Sequence, residues 1–230
     1  MSAFKFFDRV YCVHLPNPQR RVAMETQFTR LGIEAQYLHA AQPPGQFSIW
    51  NMRRNARGEF GANLSHVKCL SHALAEGARQ PLFIEDDVVF RADAEQLLAE
   101  SLSGLPADWD VFYLGGHPRG PADRVSSRLV RVGAFSFAEA YAVSARALPG
   151  LLDLWFDRIS RPRAMFDFIL GEFAASHHAY CAYPLLCEQP PGLSQISGDQ
   201  EDKRRLVARG WVNNLDAKYV TVEHLAASTR

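Results

Sequence analysis

The stretch PLFIEDDVVF, Pro81 to Phe90, decides how the rest of the chain is read. Leu82, Phe83 and Ile84 form the short apolar run of a buried strand, and the chain then presents Glu85, Asp86 and Asp87 before turning apolar again at Val88 and Val89. Two carboxylates about 4 Å apart repel by roughly 1 kcal/mol in water and roughly 4 kcal/mol at the lower effective dielectric of a protein edge, so the block needs cations or open solvent. A divalent ion would turn that repulsion into attraction. Mg²⁺ and Mn²⁺ take hard oxygen ligands and are often held by one or two carboxylates, with substrate phosphates completing the shell. The competing reading is a solvated acidic turn that caps a helix beginning near Asp93.

Upstream, residues 9–15 (RVYCVHL) are rich in β-branched and aromatic types and predict the first strand, ended by Pro16-Asn17-Pro18. A helix over 19–31 follows, with Val22, Phe28 and Leu31 as its apolar face and Gly32 as its stop, before a short strand over 34–38. This βαβ opening argues for a mostly parallel sheet covered by helices. Residues 40–61 lose periodicity and mix Pro, Gly and Asn with Arg53, Arg54 and Arg57; they predict a long loop that serves as flexible cover for a substrate. A helix over 64–78 feeds the acidic block, and 108–117 makes a strand ending in Gly115-Gly116. Short strands are predicted over 128–132 and 138–143, then a helix capped by Ser144 and another over 164–175. That last helix places Asp167 among Phe166, Phe168 and Ile169, so this carboxylate borders a pocket, holds an unusual partner, or lies on a solvated face.

Of the 230 residues, 47% are apolar and 22% charged, ordinary globular usage that provides for a substantial core. Lys plus Arg number 25 and Asp plus Glu 25, so no overall basic field favours nucleic acid or anionic lipid. No apolar run approaches the roughly 20 residues that span a bilayer, and the start lacks the apolar core of a signal peptide. A soluble, cytoplasmic protein is expected, with Cys12, Cys69, Cys181 and Cys187 reduced. Residues 1–198 are read as the main domain and 199–230 as a polar C-terminal helix and tail packed on it.

His177, His178, Cys181 and Cys187 lack the paired spacing of zinc ligands, and Cys69 beside His66 and His72 has nothing to supply an oxyanion hole. No Gly-x-Ser-x-Gly elbow and no phosphate-binding Gly-Lys-Ser/Thr loop occurs.

In order, the chain shows a strand followed by an arginine pair, then GANLSHVKCLSHAL, FIEDDVVF, WDVFYLGG, EAYAVSARAL, MFDFILGEF and YPLLCEQ. That succession, from about Val10 to Ile196, resembles glycosyltransferase family 25, which contains lipooligosaccharide and collagen galactosyltransferases. It departs at His14-Leu15, where members tend to have Asn-Leu, and at Ser194-Gln195-Ile196, where they tend to have Ser-Asp-Ile. The resemblance implies an α/β, GT-A-like nucleotide-sugar-binding fold with a mixed, mostly parallel central sheet flanked by helices. It implies a Mn²⁺ or Mg²⁺ ion at the acidic block and transfer of a hexose from a nucleotide sugar, UDP-linked, to a hydroxyl acceptor with inversion.

On that footing Asp87, with Asp86, would hold the metal, while Glu85 or Asp86 would assist it or reach the ribose. Arg21, with Arg20 as the alternative, would hold the nucleotide, and Ser65 and His66 would bind donor or merely start their helix. Asp167 is the expected general base, with Asp110 and Glu139 as competitors. The acceptor is expected to be a glycan; a modified nucleobase is the less favoured alternative. The rival function is a non-catalytic sugar-nucleotide-binding or assembly protein on the same scaffold.

Overall fold

The computed structural model describes residues 2–42, 56–160, 165–193 and 200–201. A 3₁₀ turn, Ala3–Phe6, leads into β1 (Arg9–His14), α1 (Pro18–Leu31) and β2 (Gln36–His39). Next come α2 (Ala56–Ala75), β3 (Pro81–Glu85), β4 (Val89–Phe90) and α3 (Ala94–Leu102). A long hairpin follows, β5 (Val111–Arg124) and β6 (Leu129–Val143), then α4 (Leu148–Arg158), α5 (Phe166–Ala175), β7 (Ala179–Ala182) and β8 (Cys187–Glu188). A separate two-stranded sheet joins β9 (Gly192–Leu193) to β10 (Gln200–Glu201).

The main sheet has eight strands in the order β2-β1-β3-β6-β7-β5-β8-β4. Strands β1, β2 and β3 pair in parallel, as do β5, β7 and β8, while β6 and β4 run against their neighbours. This is the mixed, mostly parallel sheet expected. Because β6 pairs with β5 along its length and also with β3 and β7, the sheet curls on itself at this strand. The core divides by strand alternation. Tyr11, Phe83 and Tyr141 point to the face covered by α2, α4 and α5, whereas Cys12, Leu82 and Ile84 point to the face covered by α1 and α3.

Helix α1 starts where expected, with Pro18 at its first turn and the Asn17 side chain accepting from the N–H groups of Gln19 and Arg20 (3.1 and 3.2 Å). It ends at Gly32 in the left-handed region, φ 66. Its buried face is Met24, Phe28 and Leu31; Val22, expected on that face, is 61% exposed.

Three expectations need correction. Helix α2 begins at Ala56, so residues 56–61 are helical rather than loop; Asn63 and Ser65 send side-chain hydrogen bonds back to the carbonyls of Glu59 and Gly61 and support a turn that carries two glycines. The expected short strands over 128–132 and 138–143 are one continuous β6, and β5 runs on past Gly115-Gly116 to pair with it, absorbing the breakers through register shifts at Gly115, His117 and Ala122. Ser144 does not cap α4 with its side chain: its carbonyl accepts from Ala147 and Leu148, and Ala147 is the capping residue. Of the substrate-covering loop expected over 40–61, residues 43–55 lie outside the described residues, as do Ser194-Gln195-Ile196 and, of the polar tail expected over 199–230, residues 199 and 202–230.

Candidate active site

Period-2 alternation at the end of β3 distributes the acidic block over both faces of the sheet. Glu85 follows Phe83 toward α2 and α5; Asp86 follows Ile84 toward α1. On the α1 side, the Leu15 N–H donates to Asp86 Oδ2 (2.9 Å) and Arg20 Nη1 donates to Asp86 Oδ1 (2.7 Å). Both oxygens of this buried carboxylate are therefore engaged by donors. The same Arg20 nitrogen lies 3.1 Å from Asp87 Oδ2, which also accepts from the Gln189 amide (2.6 Å). One guanidinium thus bridges two adjacent acids and offsets the repulsion between them.

Of the two arginines, Arg20 meets the acidic block and Arg21 does not. Arg20 stands four and eight residues before Met24 and Phe28 on the buried face of α1, so its side chain reaches the block. Arg21, one residue and about 100° further round the helix, pairs with Glu25 and lies over the Tyr37 ring, 3.3 Å from its centroid.

On the other face, His66 Nε2 lies 3.2 Å from Glu85 Oε1 and Nδ1 lies 3.1 Å from the Tyr141 hydroxyl. A carboxylate only accepts, so Nε2 carries the proton and Nδ1 accepts from Tyr141. Burial pushes the Tyr141 phenol well above its ordinary range, which keeps it a neutral donor. The imidazole is stacked on Phe166 of α5, with centroids 4.5 Å apart and planes 5° from parallel. His66 is 3% exposed with both ring nitrogens engaged, so it fixes Glu85 from behind. Ser65, 2% exposed, donates to the Gly61 carbonyl (2.6 Å) and accepts from the Ala41 N–H (2.8 Å). It ties the chain leaving β2 to α2.

Asp167 sits in the first turn of α5, next to Phe166, where its Oδ1 accepts from the Phe168 N–H (3.0 Å). Asp110 accepts from the His178 N–H (2.9 Å) and pairs with Arg146 (3.0 Å) before the first residue of β5. That is the opposite end of the sheet from Glu85, which removes it from the site. Sequence reasoning missed Gln189 as a partner of Asp87 and Tyr141 as a partner of His66, although they lie in the fragments YPLLCEQ and EAYAVSARAL. Cys69 is 1% exposed, and burial pushes its thiol up to about 12, which suits packing and not nucleophilic attack.

A hard ion can use what the block leaves available. Asp87 stands at the strand end with its side chain 18% exposed, whereas Asp86 would have to release Arg20 before it could ligate. One carboxylate suffices for Mg²⁺ or Mn²⁺ when a diphosphate supplies further oxygens, so the residues fit a shared ion rather than a protein-only cage. Among the described residues no group of three or more His, Cys, Asp or Glu side chains is placed to hold a metal ion. No helix among them is long and apolar enough to cross a membrane.

The chain is 26% identical over 170 residues to a "Glycosyltransferase 25 family member" of Drosophila melanogaster, covering 63% of this chain and 28% of that protein. It is 28% identical over 171 residues to a "Probable inactive glycosyltransferase 25 family member 3" of Rattus norvegicus, covering 64% of this chain and 30% of that one. The match therefore spans less than a third of either relative. Among solved structures, a glycosyltransferase involved in glycosylation of the major capsid of PBCV-1 aligns with a TM-score of 0.42 at 12% identity, over 70% of this chain and 72% of that one. The profile of Glycosyltransferase family 25 (LPS biosynthesis protein) matches residues 7–143, which contain β1 through β6 and the whole acidic block. The chain belongs to glycosyltransferase family 25.

Proposed function

We propose that this chain transfers a hexose from a nucleotide sugar, UDP-linked as the family leads one to expect, to a hydroxyl of a glycan acceptor, with inversion and with Mn²⁺ or Mg²⁺ at Asp87. The observation that carries the reading is the acidic block at the carboxyl end of β3, braced by Arg20 on one face and by His66 on the other. In open α/β sheets ligands bind beyond the carboxyl ends of the strands. A bound divalent ion would act as a Lewis acid on the departing diphosphate. Arg20 holds Asp86 in place, keeps the two aspartates together, and presents positive charge where the diphosphate gathers negative charge. Glu85, fixed by His66 and with its side chain 26% exposed, is positioned to accept from a donor hydroxyl. The test is Mn²⁺-dependent release of UDP from a panel of UDP-sugars; no release from any of them, with or without added glycan, sinks the reading.

The second reading is a non-catalytic binding protein on the same scaffold. It is favoured by one observation, that the rat relative of comparable identity bears the description probable inactive. Donor binding seen by calorimetry without UDP release would select it.

The two arginines should separate in the same assays. Arg20→Ala leaves the buried Asp86 with only the Leu15 N–H, and is expected to cost about 2 kcal/mol of stability and to raise the donor KM about tenfold. Arg21→Ala removes an exposed pair and one cation–π contact, and is expected to cost about 1 kcal/mol or less with donor KM unchanged. Thermal melts and donor titrations of the two variants check this, and a reversed order would return the nucleotide role to Arg21.

A further inference from the structure

Two glutamines meet the turn that follows the acidic block, and they are engaged differently. Gln27, from α1, sets both ends of its amide on backbone: the nitrogen donates to the Val88 carbonyl (3.0 Å) and the oxygen accepts from the Phe90 N–H (2.7 Å). Gln189, arriving from β8, has one end engaged. Its nitrogen donates to Asp87 Oδ2 (2.6 Å), while its oxygen, Oε1, is buried and accepts no hydrogen bond among the described residues. The reverse orientation would set the amide oxygen against a carboxylate oxygen, two acceptors face to face, so the nitrogen is the end that meets Asp87. Nitrogen and oxygen of one amide share a carbon. Fixing the first on Asp87 therefore fixes the second beside it.

The chain holds Gln189 in this place from both sides. Strands β4 and β8 run antiparallel, with Val89 across from Glu188 and Phe90 across from Cys187; continuing that register by one residue sets Gln189 across from Val88, next to Asp87. Pro190 and Pro191 follow. A proline disfavours helical backbone at the residue before it, which keeps Gln189 extended, and each proline ring fixes its own φ. Stiff backbone thus presents the amide, as a preorganised site requires. A buried carbonyl oxygen that accepts nothing is costly and demands a reason. Amide oxygen is a hard ligand, suited like carboxylate to Mg²⁺ and Mn²⁺.

We propose that Gln189 is the second protein ligand of the divalent ion assigned to Asp87, an inference that rests on that assignment. One side chain then serves twice: its N–H steadies the Asp87 carboxylate and its oxygen takes a coordination position. Asp87 and Gln189 are the protein's share of the shell, and the donor diphosphate supplies further oxygens. Because the amide is neutral, it adds a ligand without adding to the repulsion among Glu85, Asp86 and Asp87.

The experiment titrates the full chain and three variants with MnCl₂ in the presence of UDP, reading free Mn²⁺ from its EPR signal, so no turnover is required. The parent chain is expected to bind Mn²⁺ and Asp87→Ala to lose that binding, which places the ion. Gln189→Leu, which keeps the bulk but offers neither end of the amide, is expected to weaken Mn²⁺ binding about tenfold or more, the usual loss when a group that holds or orients a metal ligand is removed. Gln189→Glu keeps an oxygen and loses the N–H. Ligation by Gln189 predicts that it binds Mn²⁺ at least as tightly as the parent, whereas a residue that only orients Asp87 predicts the same loss in both variants. Gln189→Leu within about threefold of the parent, or Gln189→Glu as weak as Gln189→Leu, overturns the assignment of Gln189 alone. If a thermal melt shows Gln189→Leu unfolded, the Glu variant decides. No Mn²⁺ binding by the parent, or equal binding by the parent and Asp87→Ala, overturns both the role of Gln189 and the ion at Asp87; UDP release measured in EDTA then tells whether the transferase reading stands without them.

Discussion

Replacing Asp87 by Ala is expected to remove Mn²⁺-stimulated UDP release, lowering the rate by about 10² to 10³, the usual loss when one preorganised electrostatic contact to a developing charge is deleted. Melting temperature should move little, because Asp87 is a strand-end residue whose side chain is partly exposed and whose loss relieves repulsion with Asp86. Asp86 makes the instructive contrast. Its carboxylate is buried against Arg20 and the Leu15 N–H, so Asp86→Ala leaves that backbone donor without its acceptor and takes one of two acid partners from the half-buried Arg20 guanidinium. That variant should lose stability first and activity as a consequence, whereas Asp87→Ala should lose activity alone. The measurements are UDP release against Mn²⁺ concentration and a thermal melt of each variant. A folded Asp87→Ala protein with an unchanged Mn²⁺ response would remove the ion from this residue.

Local chemistry explains what could be read before the fold was known. The opening β1-α1-β2 unit was legible because Asn17, Pro18 and Gly32 mark the helix ends and a strand flanks it on each side. The acidic block was legible because three acids following an apolar strand fit no core. The buried face of α1 was legible in part. Phe28 and Leu31 were read correctly but Met24, not Val22, completes the buried face, which carries Arg20; Arg21 was put first by the family resemblance and not by the helix phase. The pairing of β5 and β6 was hidden by Gly115, Gly116, Pro118 and Gly120, which as sequence argue for an end to the strand. Bulges and a long partner strand overrode that local preference. Glu85 and Asp86 parting to opposite faces follows from alternation alone, but the residues that meet them, His66 and Arg20, are set by tertiary packing that spacing does not reveal.

Gly171→Ala should produce the largest loss of stability among single-methyl changes near the site. A Cβ at Gly171 would stand 2.3 Å from the Phe135 carbonyl oxygen, and that neighbour is backbone of β6 rather than the free end of a flexible side chain. Helix α5 would have to move off the strand. Such overpacking costs about 1 to 3 kcal/mol, occasionally more, and the gain of roughly 1 kcal/mol from replacing glycine within a helix offsets only part of it. A net cost of about 2 kcal/mol lowers the melting temperature of a domain this size by roughly 4 to 8 °C. The same displacement reaches the chemistry, because α5 carries Phe166, which stacks on His66, which in turn fixes Glu85. Donor KM should therefore rise even at temperatures where the variant is fully folded, and Phe166→Leu, which removes the stacking surface without moving the helix, should reproduce the KM change with a smaller thermal shift. A Gly171→Ala protein that melts with the parent would mean that α5 is not held against β6 at this contact, and unchanged donor KM in both variants would break the line from α5 through His66 to Glu85.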